Sequence, residues 1–266
     1  MKRALCMILF TAAFVGSAFA YTWTGGGADN RWTNPSNWGG GGYPQSTSDT
    51  AEFTTDATLS LDSGNTLTVG IVKVAANKTV TVNGTAGSAL NPLRGAAVDG
   101  NGFLVAEGGK LVLNVPVVSS GRIDKWLPGE VVFNADVTIT GTDYFLIDCG
   151  TVTVQGTAVF SLPDGKLGLG NSKDRQLMQL NIKDSARVVT RTLETIVASN
   201  PNTGTGRVVQ DGENTEVFVS GNTILAGASG RDGKGVYELK AGHARVRENP
   251  WRRGVARHRL QRESLG

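Results

Sequence analysis

The chain has 266 residues, 36 of them glycine, with two cysteines, two histidines and 26 basic against 23 acidic side chains, a net charge of +3. That surplus is local: from His243 onward seven arginines face only Glu248 and Glu263, while residues 21–242 hold 17 basic against 21 acidic side chains. A mildly acidic body lacks the basic face of a nucleic-acid-binding domain, and with histidines only at 243 and 258 the body has none for a zinc site or a Ser-His-Asp triad.

Met1-Lys2-Arg3 precede an apolar run from Ala4 to Val15, then Gly16-Ser17 and the small-residue end Ala18-Phe19-Ala20. The charged start, short apolar stretch and small residues predict a signal peptide over residues 1–20, cut after Ala20, and hence a secreted or cell-surface protein. The run falls short of the ~20 residues a membrane span needs, and no other segment could cross as a helix, so the mature chain is expected to carry no transmembrane helix. Cleavage removes Cys6 and leaves Cys149 alone, which excludes an internal disulfide. Within Phe145-Leu146-Ile147-Asp148-Cys149 the thiol reads as a small buried apolar group.

Residues 21–57 form a head of distinct composition, with Trp23, Trp32 and Trp38 set among Gly25-Gly26-Gly27, Asn34-Pro35-Ser36-Asn37 and the glycines 39–42. Large aromatic rings can close the open end of a β structure, and the glycines and Asn-Pro permit the turns between them. The functional alternative for Trp23, Trp32 and Trp38 is stacking on sugar faces. Gly25 to Asn30 matches half of a glycine-aspartate calcium repeat, but one copy supplies too few oxygen ligands, so no metal or cofactor is expected.

From Thr58 apolar residues recur at every second position: Leu59/Leu61, Leu67/Val69, Val72/Val74, Val80/Val82, Leu111/Leu113, Val137/Ile139, Val152/Val154, Leu167/Leu169 and Val217/Val219. Period two with Thr or Val between predicts half-buried strands, and only Arg191 to Ala198 hints at a helical period. Asp62-Ser63-Gly64-Asn65, Asn83-Gly84, Glu107-Gly108-Gly109, Asp164-Gly165, Asp211-Gly212 and Gly221-Asn222 supply tight turns between them. Strands so short and frequent fit an all-β right-handed parallel β-solenoid over residues 58–242, in which inward side chains stack as ladders and corner asparagines bond through their amides. The alternative is a β-sandwich or jelly roll, favoured by the Asn-Gly and Asp-Gly pairs that suit hairpins.

The head motif Trp23-x-Gly25, Trp32-x-Asn34-Pro35-Ser36-Asn37-Trp38, with Pro44 and Asp49-Thr50-Ala51 after it, resembles the start of bacterial autotransporter-type surface proteins. Gly235-Val236-Tyr237-Glu238-Leu239-Lys240-Ala241-Gly242 is similar to the repeat of their β-helix passengers. The resemblance implies an exported structural or adhesive surface protein and carries over no catalytic residue; the long face of such a solenoid is expected to meet a glycan or extracellular matrix. Residues 243–266 depart from it, being arginine-rich where a barrel or sorting signal would stand. They read as a frame disruption or fragment end, or else as a basic tail.

Candidate acids at Asp143, Asp148, Asp164, Asp174 and Asp184 are explained by turn chemistry and form no recognisable pair in sequence. The expectation is therefore a non-enzyme with no catalytic, cofactor or metal residues. A secreted carbohydrate-active enzyme or glycan-binding module on the same scaffold is the alternative.

Overall fold

The computed structural model describes residues 19–93, 102–170, 177–195, 204–224 and 234–246. Among these the regular structure is strand, apart from one 3-10 turn at Pro35–Asn37. The strands form parallel ladders that the chain visits in rotation. The first ladder runs through Ala57–Leu61, Thr79–Gly84, Lys110–Asn114, Glu130–Phe133, Gly150–Val154, Leu177–Lys183, Thr205–Asp211 and Lys234–Leu239. The second takes Thr66–Val69, Ala89–Pro92, Val117–Ser119 and Val137–Ile139, and the third takes Ala20–Trp23, Thr50–Phe53, Ile71–Val74, Gly102–Val105, Ile123–Trp126 and Tyr144–Ile147. The long strands Val159–Leu169, Arg187–Glu194 and Glu216–Ile224 then serve both, their first halves extending the second ladder and their second halves the third.

Register holds although circuit length does not. The step from Asn114 to Asn134 takes 20 residues and that from Asn83 to Asn114 takes 31, yet the strands on either side pair without a slip. The longer circuit places its extra chain between Ala89–Pro92 and Gly102–Val105, where the next circuit needs only Ser120 to Arg122. Extra residues that fall between strands make the sequence irregular while the strands on either side keep their pairing.

All nine alternating pairs named from the sequence are buried. Their inward stacking removes apolar surface from water on every circuit, which is the main favourable term holding such a stack together. In the middle, Phe103, Phe133, Phe145 and Phe160 form an aromatic column fed by all three ladders, with centroids 5.9 Å apart for Phe103 and Phe133 and 4.9 Å for Phe145 and Phe160. Edge-to-face contacts of this kind add to the area they bury. Outside, Asn114 Nδ2 donates to Asn83 Oδ1 and Asn134 Nδ2 to Asn114 Oδ1, both at 2.7 Å, so stacked amides bond from circuit to circuit as the corner-asparagine reading anticipates.

Three expectations change. A hairpin-built sandwich is not the arrangement, because the one antiparallel pairing among the described strands is that of Ala20–Trp23 with Trp38–Gly39. Asn83-Gly84 ends a strand and Asp211-Gly212 turns a corner between parallel ladders, so Asx-Gly here serves parallel connections. Arg191 to Glu194 is strand, and residues 196–198 of that helical hint lie outside the described residues. The second ladder also passes Gly242: His243–Val246 pairs in register with Glu216 to Val219, and Glu216 bridges Arg187 at 2.7 Å and Arg245 at 3.7 Å.

The tryptophan head covers the first edges. The two-residue strand Trp38–Gly39 pairs with the outer side of Ala20–Trp23, while Trp32 N donates to Ser60 O and Ser60 N to Asn30 O along the edge of the first ladder. Covering unpaired strand edges removes a template for aggregation.

Candidate functional site

The three tryptophans face inward. Trp32 is fully buried and Trp23 and Trp38 nearly so, their rings meeting each other and Phe53 at centroid distances of 5.0 to 6.2 Å. Trp32 Nε1 donates to Pro44 O at 2.9 Å and Trp38 Nε1 to Trp32 O at 2.7 Å, so burial leaves neither indole unpaired. Asp29 fastens the turn above them by accepting from Asn34 Nδ2, Arg31 N and Asn37 Nδ2. The Asn34 hydrogen bond first, then the Arg31 amide, hold its carboxyl below the usual range. A buried ring offers no face to a sugar, so this geometry favours Trp23, Trp32 and Trp38 as a plug over a glycan platform.

Of the described candidate acids, Asp143 and Asp148 both lie within electrostatic reach of Arg122. Asp143 and Asp164 are exposed, and Asp184, at φ 59°, accepts from Gly156 N at 2.9 Å to close a corner. Asp148 is buried, and Asp174 lies outside the described residues. Among the described residues no group of three or more His, Cys, Asp or Glu side chains is placed to hold a metal, and no helix is long and apolar enough to cross a membrane.

Charged groups do gather on the outer face of the third ladder. Arg122 Nε lies 2.7 Å from Asp124, whose carboxyl is buried. Desolvation raises the Asp124 pKa, against the pull of Arg122, and the neighbouring Asp143 also raises it. Two circuits above Arg122 in the same row, Lys166 Nζ donates to Tyr144 Oη at 3.1 Å, and Tyr144 donates to Glu194 Oε2 at 3.4 Å. The Tyr144 hydrogen bond raises the Lys166 pKa. These contacts tie successive strands together.

Lys125 is the residue that sequence reasoning missed. Its strand places it inward between Phe103 and Ile147, fully buried. Its ammonium donates to the carbonyl oxygens of Cys149, at 2.7 Å, and of Gly129 and Leu127, three acceptors at a corner where the chain leaves the third ladder. Burial pushes its pKa down to about 7, opposed by Cys149 and Glu130. The signal was available as parity: Ile123 and Lys125 share a strand face.

A concave surface lies on the outer face of the first ladder. Gln179, Asn181, Lys183, Arg207, Val209, Asp211 and Lys240 line a groove of about 230 Å³ crossing three neighbouring strands. Register builds it, setting Gln179 beside Arg207, Asn181 beside Val209 and Lys183 beside Asp211. Gln179 Nε2 donates to Asn181 Oδ1 at 2.7 Å, Asn181 Nδ2 to Thr153 Oγ1 at 3.3 Å, and Thr153 Oγ1 to Glu130 Oε1 at 2.7 Å, a polar chain running away from the groove. At the other end Arg207 bonds Glu238, and Lys240 lies 3.7 Å from Asp211 and 3.8 Å from Glu238. The Arg207 hydrogen bond keeps the Glu238 carboxyl below its ordinary pKa.

No protein-family model matches this chain, and neither a curated protein nor a solved structure matches it.

Proposed function

We propose that this chain is an exported structural or adhesive surface protein: a right-handed parallel β-solenoid, closed at its first end by residues 21–57, that presents a polar outer face to a glycan or matrix polymer. The observation that carries the reading is the recurring parallel pairing, in which strands 20 to 31 residues apart in sequence pair on circuit after circuit, with register shifts at Leu162/Lys166 and Thr190/Thr192 in the long strands. Right-handedness is the overwhelming preference of parallel strand connections in one sheet. Residues 1–20 supply the export half of the argument through their charged start, apolar run and Ala18-Phe19-Ala20. A passenger of the autotransporter type has this economy, since a stack of circuits gives length and a repeating surface without a catalytic pocket.

The test is fractionation of a bacterium expressing the full chain, beside a version lacking residues 2–20. The reading expects a processed protein beginning at Tyr21 outside the cytoplasm, degraded by protease added to whole cells or recovered from the medium. Retention in the cytoplasm with Met1 intact would sink it. Release of reducing ends from a polysaccharide panel by the purified protein would replace it with the enzyme reading, for which the Arg122, Asp124, Tyr144, Lys166 and Glu194 cluster would be the place to look.

A further inference from the structure

We infer that the groove lined by Gln179, Asn181, Lys183, Arg207, Val209, Asp211 and Lys240 is a binding site for a linear polysaccharide bearing carboxylate groups, a uronate-containing chain lying along the stack. The inference rests on the surface-protein reading and gives it a site and a ligand class.

Three features of the groove select that chemistry. Its cations fall one to a circuit, Lys183 on Leu177–Lys183, Arg207 on Thr205–Asp211, and Lys240 just past Lys234–Leu239. Register puts Asp211 between Lys183 and Lys240 in one row along the stack, the two lysines two strand spacings of about 4.8 Å apart, while Arg207 stands four residues back on the middle strand beside Gln179. The floor between them is Val209, 8% exposed, which closes the groove beneath its polar lining rather than offering an apolar face. Around that floor stand the amides of Gln179 and Asn181, tied to each other and to Thr153, and the carboxylates Asp211 and Glu238, which accept from hydroxyl groups.

The same features weigh against other polymers. A neutral glucan would bring Lys183, Arg207 and Lys240 no anion beyond the Asp211 and Glu238 already beside them. A nucleic acid carries a charge on every residue and would set phosphates against Asp211 and Glu238, and the groove has no exposed aromatic ring for base stacking. A uronate chain brings few carboxylates and many hydroxyls, which matches a lining of both signs. The existing pairs, Arg207 with Glu238 and Lys240 with Asp211, are exposed to water and exchange partners at little cost.

The experiment titrates the purified exported protein with polygalacturonate, dextran and single-stranded DNA by calorimetry at low salt, using wild type, Lys183→Ala, Lys240→Ala and a control, Lys73→Ala, on a different ladder. Circular dichroism checks that each variant is folded. The expected result is polygalacturonate binding that weakens about fivefold to tenfold for Lys183→Ala and Lys240→Ala, the scale of one net hydrogen bond at a water-exposed site, with the control unchanged. Dextran should not bind. Equal binding of dextran, an affinity indifferent to Lys183 and Lys240, DNA binding of equal strength sensitive to the same variants, or no binding by folded protein would each overturn the assignment. All four can occur in a protein that is exported and processed at Tyr21, so failure here leaves the surface reading standing, and failed export is read from fractionation alone.

Discussion

Lys125→Met tests how the interior of the stack is held. The lysine points inward between Phe103 and Ile147, and its ammonium is met by three carbonyl oxygens in place of water. With a pKa of about 7 in the folded protein and about 10.4 in the unfolded chain, the folded state binds fewer protons on this group throughout that window. Stability therefore rises with pH from about 7 toward about 10, and the full cost of burying the charge is present below about 7. Linkage for those two values gives roughly 2.7 kcal/mol between pH 6 and pH 9. The assay is urea unfolding of the full chain at both pH values. The difference between the lysine and methionine proteins isolates Lys125, since Glu130 and every other group are common to both. Methionine gives up three hydrogen bonds at every pH, so only the change in the difference is diagnostic. It should move by about 2 to 3 kcal/mol in favour of lysine on going from pH 6 to pH 9. A flat difference, or one that moves toward methionine, would refute the argument that the ammonium is desolvated.

Gly150→Ala strikes the same corner from the backbone. Gly150 has φ +77°, and a Cβ there would collide with the Lys125 ammonium and lie 2.5 Å from Gly129 O, so the variant should lose about 2 kcal/mol or more by chemical denaturation. Trp32→Ala empties the plug of a fully buried ring and should cost about 3–5 kcal/mol in the same assay. Because the segment it anchors covers the edge at Ser60, light scattering should also show faster aggregation than for an equally destabilised core variant such as Phe133→Ala. Asn114→Ala removes the middle amide of the exposed ladder between Asn83 and Asn134 and should cost about 1 kcal/mol, read as a melting temperature lowered by a few degrees.

Strand positions were legible because period two survives any architecture. Leu59 and Leu61, or Val152 and Val154, declare an inward face whatever strand lies beside them. Partner choice was not legible in the same way. A hairpin partner is fixed by a two-residue turn, whereas the partner of Lys110–Asn114 lies 31 residues back on one side and 20 on the other, and no local residue states either number. Asx-Gly pairs added a misleading signal, because glycine and asparagine accept positive φ as readily at a corner between parallel ladders as in a hairpin. Asn77 and Asp184, both in the left-handed region, serve such corners.

The plug and the groove mark the two ends of that difficulty. Trp23, Trp32 and Trp38 fall within one head segment, so composition alone marked them as a unit, and their burial favours the plug over the sugar platform. The groove draws on strands Leu177–Lys183, Thr205–Asp211 and Lys234–Leu239, and its members become neighbours only once the register is known. Gln179 and Arg207 look like unrelated polar residues in unrelated strands until pairing sets them side by side. In a stack of circuits, side chains that act together are separated by a whole circuit, so any site on its outer face is spread through the sequence at intervals set by the residues between strands. The residues that lengthen a circuit without disturbing the pairing on either side therefore also hide the surface chemistry, and register is the quantity that brings it to light.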